Sequence, residues 1–175
     1  MDKKRFRKIC LERLKNVSKN RRYIKDIIIR KKIEEIIKYY NPKSILFYTS
    51  LSFEVNLNPL IKKYRKKIDI YLPFIEEKSF KMVKYRLPLK KNNFNVFEPN
   101  NSYLKIKDVD MIIVPVIGVD RDYKRVGFGK GMYDRFYEKL KKKPLVVFVQ
   151  RERCFTSEKI TDGYDISADF YITPK

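Results

Sequence analysis

The chain has 175 residues, 43% of them hydrophobic, with 42 Lys and Arg against 21 Asp and Glu for a net charge of +21. It has no histidine, which excludes a Ser-His-Asp triad, a Cys-His pair and the usual zinc sites. Any metal is therefore expected to be oxygen-ligated, and any acid–base work falls to carboxylate, tyrosine or lysine.

Asp2 to Asn16 reads as a short basic helix, with Phe6, Ile9, Cys10 and Leu14 at helical spacing. Ser18 is a candidate N-cap for a second helix. Its expected core stripe is Ile24, Ile27, Ile28, Ile33, Ile36 and Ile37, and Asn41-Pro42 stops it. Ser44 to Thr49 has the nearly continuous apolar run of a buried strand. Leu57, Leu60, Ile61 and Tyr64 then form one helix face. Ile68 to Leu72 is the next strand, ended by Pro73, so this strand–helix–strand unit predicts a right-handed parallel crossover. Phe80 to Leu87 alternates as a half-exposed strand, and Asn92 to Asn101 reads as a loop. Met111 to Val116 and Leu145 to Val149 are short buried strands flanking a helix over Tyr133 to Leu140, and Phe170 to Thr173 is a last strand. The alternation predicts a single α/β domain over residues 1–175, a three-layer sandwich around a mostly parallel open sheet. Ligands of such sheets bind beyond the carboxyl ends of the strands.

Three of the five glycines, Gly127, Gly129 and Gly131, stand at alternate positions just before the Tyr133 helix. Backbone N–H groups at such a turn, together with the positive end of a helix, favour a bound phosphate. Arg125 and Lys130 add charge, and Asp134 lies in the first helical turn, within reach of a cation beside that phosphate. The competing interpretation is a tight connection and nothing more. The Walker pattern does not fit, because Met132 follows Gly131, and the dinucleotide fingerprint needs a closer upstream strand.

The charge admits a polyanionic partner, but the basic residues are spread along the chain, and a Lys-, Ile-, Asn- and Tyr-rich composition also follows from an AT-rich coding sequence. Cys10 and Cys154 form no C-x-x-C pair and are expected to be reduced thiols in a cytosolic protein. No apolar run approaches the roughly 20 residues of a membrane span, and the charged N-terminus lacks a signal-peptide core. A monomer in the cytoplasm, without a membrane or specific nucleic-acid partner, is the expectation.

The segment Arg125-Val-Gly-Phe-Gly-Lys-Gly-Met-Tyr-Asp-Arg135 resembles the R-L-G-x-G-x-G-Y-Y-D-R signature of the 5-formyltetrahydrofolate cyclo-ligase (5,10-methenyltetrahydrofolate synthetase) family. The resemblance covers essentially the whole chain. Lys3 and Arg7, with Arg13 after them, are similar to the family's N-terminal K-x-x-x-R, and Phe53-Glu54-Val55 to a segment of its folate site. Glu98-Pro99, Asp110 with Pro115, and Asp120 fall where the family has E-P, D-x-x-x-x-P and F-D. Asp165 and Asp169 resemble its D-x-x-x-D.

The resemblance implies ATP-dependent cyclisation of 5-formyltetrahydrofolate to 5,10-methenyltetrahydrofolate, with ADP and phosphate released. It implies ATP contacts from Lys3, Arg7 and the run Arg125, Val126, Gly127, Phe128, Gly129, Lys130, Gly131, Met132 and Tyr133. Arg125, Lys130 and Tyr133 are the implied catalytic residues. Thr49, Glu54, Phe128 and Met132 are implied to touch the folate, and Asp134 and Asp165 to ligate Mg2+. Val126, Met132 and Val119 depart from the signature leucine, the first signature tyrosine and the phenylalanine before Asp120, and Gln150 to Thr161 does not align cleanly. The rival readings are a basic nucleic-acid-binding module and another ATP-dependent kinase or ligase built on the same loop.

Overall fold

In the computed structural model, residues 2–175 are described. Helix α1 (Lys3–Lys15) starts at Asp2, whose carboxylate accepts the Arg5 N–H at 2.8 Å, and buries Phe6, Cys10 and Leu14. Helix α2 (Lys19–Tyr40) ends at Asn41, which takes the left-handed conformation at φ 44°. Ser18 holds the N-cap position of α2 but makes no side-chain cap bond. The core stripe of α2 is the expected one only in its second half, from Ile33 to Ile37. Asp26, Ile29, Ile33 and Ile37 are buried, while Ile24 and Ile28 are exposed. The isoleucines outnumber the positions one face can hold, and the buried face also takes a charged residue.

The remaining elements are β1 (Ser44–Leu46), α3 (Asn58–Tyr64), β2 (Asp69–Glu76), β3 (Ser79–Lys84), β4 (Lys90–Lys91), β5 (Phe97–Glu98), β6 (Met111–Pro115), β7 (Gly118–Val119), β8 (Arg125–Val126), α4 (Met132–Lys139), β9 (Leu145–Val149) and β10 (Phe170–Ile172). Six strands form one sheet in the order β10-β9-β6-β1-β2-β3. All neighbours are parallel except β2 and β3. Alternate residues of each apolar strand feed opposite faces. Ile45, Met111, Ile113 and Val147 pack with Ile29, Ile33 and Ile37 of α2 and Leu60 and Ile61 of α3. Leu46, Ile112, Val114, Val146 and Phe148 pack with Phe136 of α4 and Leu140. The expected three-layer sandwich is thus the observed one.

Two local expectations change. Strand β2 runs through Pro73 to Glu76 instead of stopping there. The N–H of Ile75, two residues on and on the same side of the strand, goes to the Glu98 carboxylate at 3.3 Å and not to β1. β1 has already ended, so a missing N–H on that side of β2 costs no ladder bond. The segment Asn92 to Asn101, expected as a loop, contributes β5, which pairs with β4 just before it.

Cys10 and Cys154, expected to be reduced, are joined by a disulfide with Cα atoms 5.7 Å apart. The missing C-x-x-C pattern excluded only local pairing, and these two are 144 residues apart in sequence. α1 lies over β7, where a Cβ on Gly118 would meet the Phe6 ring at 2.5 Å. Val119 of β7 donates its N–H to the Cys154 carbonyl at 3.0 Å. Phe6, Cys10, Ile117, Val126 and Cys154 form a third small core there. No helix among the described residues is long and apolar enough to cross a membrane.

Candidate active site

β1 leads to β2 on one side of the sheet and β6 to β9 and β10 on the other, so the strand order reverses between β1 and β6. Crevices form at the carboxyl ends of strands at such a point. A cavity of about 370 Å³ lies there, its floor made by Tyr48 and Thr49 after β1, Ile75 of β2 and Pro115 at the end of β6. Glu54, Arg125, Phe128, Lys130, Met132 and Tyr133 line the rest together with Phe80 and Phe94. Every residue expected to touch the folate is on this wall, and so are all three expected catalytic residues.

The glycine loop enters through the β7–β8 pair, which sets Arg125 opposite Val119. Arg125 is buried, donates from Nε to the Pro115 carbonyl at 3.2 Å, and holds its guanidinium 4.8 Å from the Tyr133 ring centroid. A Cβ on Gly127 would run into that guanidinium. Gly129 and Gly131 have φ of +90° and +59°, values that L side chains avoid. Gly131 is the N-cap residue of α4, so the loop ends on a helix N-terminus as expected. Val126 points into the third core and offers the loop only its backbone. Lys130 sits 3.9 Å from the Phe94 ring centroid, and Phe53 packs on Phe128 at 5.6 Å.

α1 delivers its cations to this loop. Arg7 donates from Nε to the Gly127 carbonyl at 2.6 Å, and a Cβ on Gly129 would be 3.4 Å from the Arg7 guanidinium carbon. Lys3 goes instead to acids: its Nζ is 2.5 Å from Asp165 Oδ2 and 3.3 Å from Asp162 Oδ2.

Asp134 accepts the N–H of Ile166, the residue after Asp165, at 3.2 Å, so the segment that carries the second carboxylate expected to hold Mg2+ packs on the first. Asp134 Oδ2 also faces Arg125 Nη1 at 3.9 Å. No group of three or more acidic or sulfur ligands occurs among the described residues. One or two carboxylates are nonetheless the donor set Mg2+ uses when phosphates and water complete its shell. The residues present fit that mode.

Glu54 is half-buried against the cavity, and its Oε2 accepts the Leu51 N–H at 2.8 Å. Burial pushes its carboxyl up to about 7, against the downward pull of the Leu51 N–H and of Arg125 and Arg151. Burial also raises the Tyr133 hydroxyl well above its ordinary range. Thr49 donates from Oγ1 to the Phe97 carbonyl at 2.6 Å, tying the strand end to the β4–β5 flap.

Other acids of the sequence motifs hold backbone. Glu98 accepts from Ile75, Asp110 from Lys43 and Ser44, and Asp169 from Val146. Asp120 accepts the N–H groups of Asp122, Lys124, Ile160 and Thr161. The aromatic wall of Phe80 and Phe94 was not legible, because alternation marks Phe80 only as a strand residue and Phe94 sits in a loop. Arg151 and Asp26, which meet behind Glu54, carried no sequence signal at all.

The combination of an open α/β sheet, a basic glycine loop and an adjoining apolar cavity defines an enzyme that brings a phosphate-bearing molecule to a small aromatic one. The model of the 5-formyltetrahydrofolate cyclo-ligase family matches residues 1–155, and the chain belongs to that family of ATP-dependent ligases. It is 25% identical over 141 residues to the 5-formyltetrahydrofolate cyclo-ligase of Haemophilus influenzae, covering 75% of each chain. Over 141 residues it is 28% identical to that of Mus musculus, covering 73% of this chain and 70% of the mouse protein. The Aquifex aeolicus 5,10-methenyltetrahydrofolate synthetase structure superimposes with a TM-score of 0.85 at 28% identity, covering 100% of this chain and 91% of the other.

Proposed function

We propose that the chain catalyses its family's reaction, closing 5-formyltetrahydrofolate to 5,10-methenyltetrahydrofolate with ATP converted to ADP and phosphate. The observation that carries this is the sharing of one loop by two unlike surfaces. The run of residues 125–132 turns its backbone at Gly127 and Gly129 toward Arg7 of α1, and turns Arg125, Phe128, Lys130 and Met132 toward the cavity.

In this reading the pterin lies in the cavity between Thr49, Glu54, Phe128 and Met132, and the triphosphate on the loop between Lys3, Arg7 and the run from Arg125 to Tyr133. The formyl oxygen attacks the γ-phosphorus and the bond to ADP breaks. Atom N10 then attacks the activated formyl carbon and loses its proton, and the C–O bond breaks to release phosphate. Arg125 and Lys130 neutralise charge that spreads over the transferring phosphoryl group. Tyr133, held neutral by burial, keeps its hydroxyl proton and offers it as a hydrogen bond. Glu54, titrating near neutrality, is suited to take the N10 proton at physiological pH. Asp134 and Asp165 would hold Mg2+, which when bound offsets the charge of the phosphates. The proposal takes in a cytoplasmic monomer that acts through one domain over residues 1–175, without a membrane or specific nucleic-acid partner.

The test is an assay of purified protein with Mg-ATP and 5-formyltetrahydrofolate, read by the near-ultraviolet absorbance of the methenyl product. Stoichiometric ADP and product support the reading. ADP without the methenyl band points to another kinase on the same loop, and neither product from folded protein overturns the assignment.

A further inference from the structure

We propose that Arg151 and Asp26 are positioning residues: a buried ion pair behind the cavity whose task is to fix the loop that presents Glu54. Asp26 comes from α2 and Arg151 follows β9, and both are nearly inaccessible, at 5% and 3% exposure. They meet as a fork, Nε to Oδ1 at 2.8 Å and Nη2 to Oδ2 at 2.9 Å. The further hydrogen bonds of the pair, one from Nη1 and two from atoms that also serve the fork, all go to one short segment. Arg151 Nη1 donates to the Ser52 carbonyl at 3.1 Å, and Nη2 also donates to the Glu54 carbonyl. Asp26 Oδ2 accepts the Asn56 N–H at 3.1 Å. The backbone on either side of Glu54, and at Glu54 itself, is therefore held by one buried pair that joins α2 to the segment after β9, while Arg22, Arg30 and the Tyr48 hydroxyl each add a single bond, to the Ser52, Asn56 and Val55 carbonyls. Glu54 then closes on Leu51, with its backbone N–H to the Leu51 carbonyl at 3.0 Å and its carboxylate to the Leu51 N–H.

Stability alone does not account for such a pair. Burying two charges costs about as much as their attraction returns, and apolar replacements are often as stable. What an apolar pair cannot do is hold carbonyls and an N–H at fixed points. The loop has no helix or strand of its own between β1 and α3 to do that work. Arg151 also faces Glu54 electrostatically and pulls its carboxyl down against the effect of burial. The pair thus sets both where Glu54 stands and how readily it loses its proton.

This inference rests on Glu54 being a folate-side residue, and the experiment separates the two claims. Arg151→Lys keeps the charge and loses the fork. The double variant Asp26→Asn/Arg151→Gln replaces the pair by neutral amides and leaves no buried charge unpaired. Glu54→Gln tests the underlying site. In each, KM for 5-formyltetrahydrofolate, KM for ATP, the pH profile of kcat/KM and the melting temperature are measured. Both pair variants should raise the folate KM by at least about tenfold, the loss of roughly one charge-assisted hydrogen bond, and leave the ATP KM within about twofold. In the double variant the acidic midpoint of kcat/KM should also move upward, since the Arg151 charge is gone. Should Arg151→Lys not fold, the double variant is read in the same way. A lowered melting temperature with both KM values and the pH midpoint unchanged overturns the proposal and leaves an ordinary structural pair. A folate KM raised by Glu54→Gln but not by the pair variants overturns the positioning role alone. A folate KM unmoved by Glu54→Gln removes the site reading and this inference with it.

Discussion

Lys3 Nζ stands 2.5 Å from Asp165 Oδ2, so the helix that carries Arg7 to the glycine loop is tied at its first turn to one of the two carboxylates suited to a cation. An ammonium and a divalent metal compete for the same oxygen. In the ligand-free chain Lys3 holds Asp165, and with Mg-ATP bound the ammonium is expected to turn to the phosphates.

Replacing both Lys3 and Arg7 by Gln should raise the ATP KM at least about tenfold, since charge-assisted phosphate contacts are worth roughly 1.5–3 kcal/mol each. The folate KM should change much less. Lys3→Gln alone should strengthen Mn2+ binding to the ATP-free protein, measured by electron paramagnetic resonance titration. An unchanged ATP KM in the double variant would make the arm a solvated helix.

Asp134→Asn should lower turnover by about 100-fold or more through loss of a metal carboxylate. The asparagine carbonyl can still accept the Ile166 N–H that Asp134 now takes, so the melting temperature should hold. Asp165→Asn should act in the same direction. Near-normal rates in both at limiting magnesium would make these carboxylates structural.

The stability of the chain should fall between acid and neutral pH because of Glu54. Its carboxyl titrates at about 7 when folded against an ordinary 4.5, so the folded state favours the protonated form. That contribution is whole below about pH 4.5 and is lost as pH rises through 7, by up to about 3 kcal/mol. Denaturant unfolding of wild type and Glu54→Gln across this range should show wild type losing stability relative to the variant as pH rises. Parallel curves would mean that the carboxyl is not raised.

Reducing the Cys10–Cys154 bridge should loosen α1. The link closes a long stretch of chain and joins the helix of Lys3 and Arg7 to the segment after β9. Loss of such a link costs about 2–5 kcal/mol, and reduced protein should melt lower and show a higher ATP KM. In a reducing compartment the pair is held as thiols, and the ATP KM measured there is the higher one. Equal ATP KM in oxidised and reduced protein would confine the bridge to stability.

Duplex DNA should bind weakly, with a steep salt dependence and no sequence preference. Sequence discrimination in a filter-binding assay at about 0.15 M salt would instead favour a nucleic-acid role for the net charge.

Much of this architecture follows from local pattern. The apolar runs at Ser44, Met111 and Leu145 could only be buried strands, and their alternate residues feed the two faces. The glycines at alternate positions marked the loop, since close backbone approach and positive φ favour glycine. The residues named as folate-side or catalytic lie together on one cavity wall. What the tertiary structure alone decided are the meetings of residues far apart in the chain. Pattern placed isoleucines on α2 but could not show that Asp26 shares their buried face, because its partner Arg151 lies 125 positions away. It identified two cysteines but not their pairing, which depends on how α1 packs over β7. It took Pro73 as a strand end, because whether an absent N–H matters depends on whether a neighbouring strand is there to accept it. Local sequence sets what each segment can bury. Which buried groups then meet is set by the crossover topology, and the geometry behind Glu54 arises at that level.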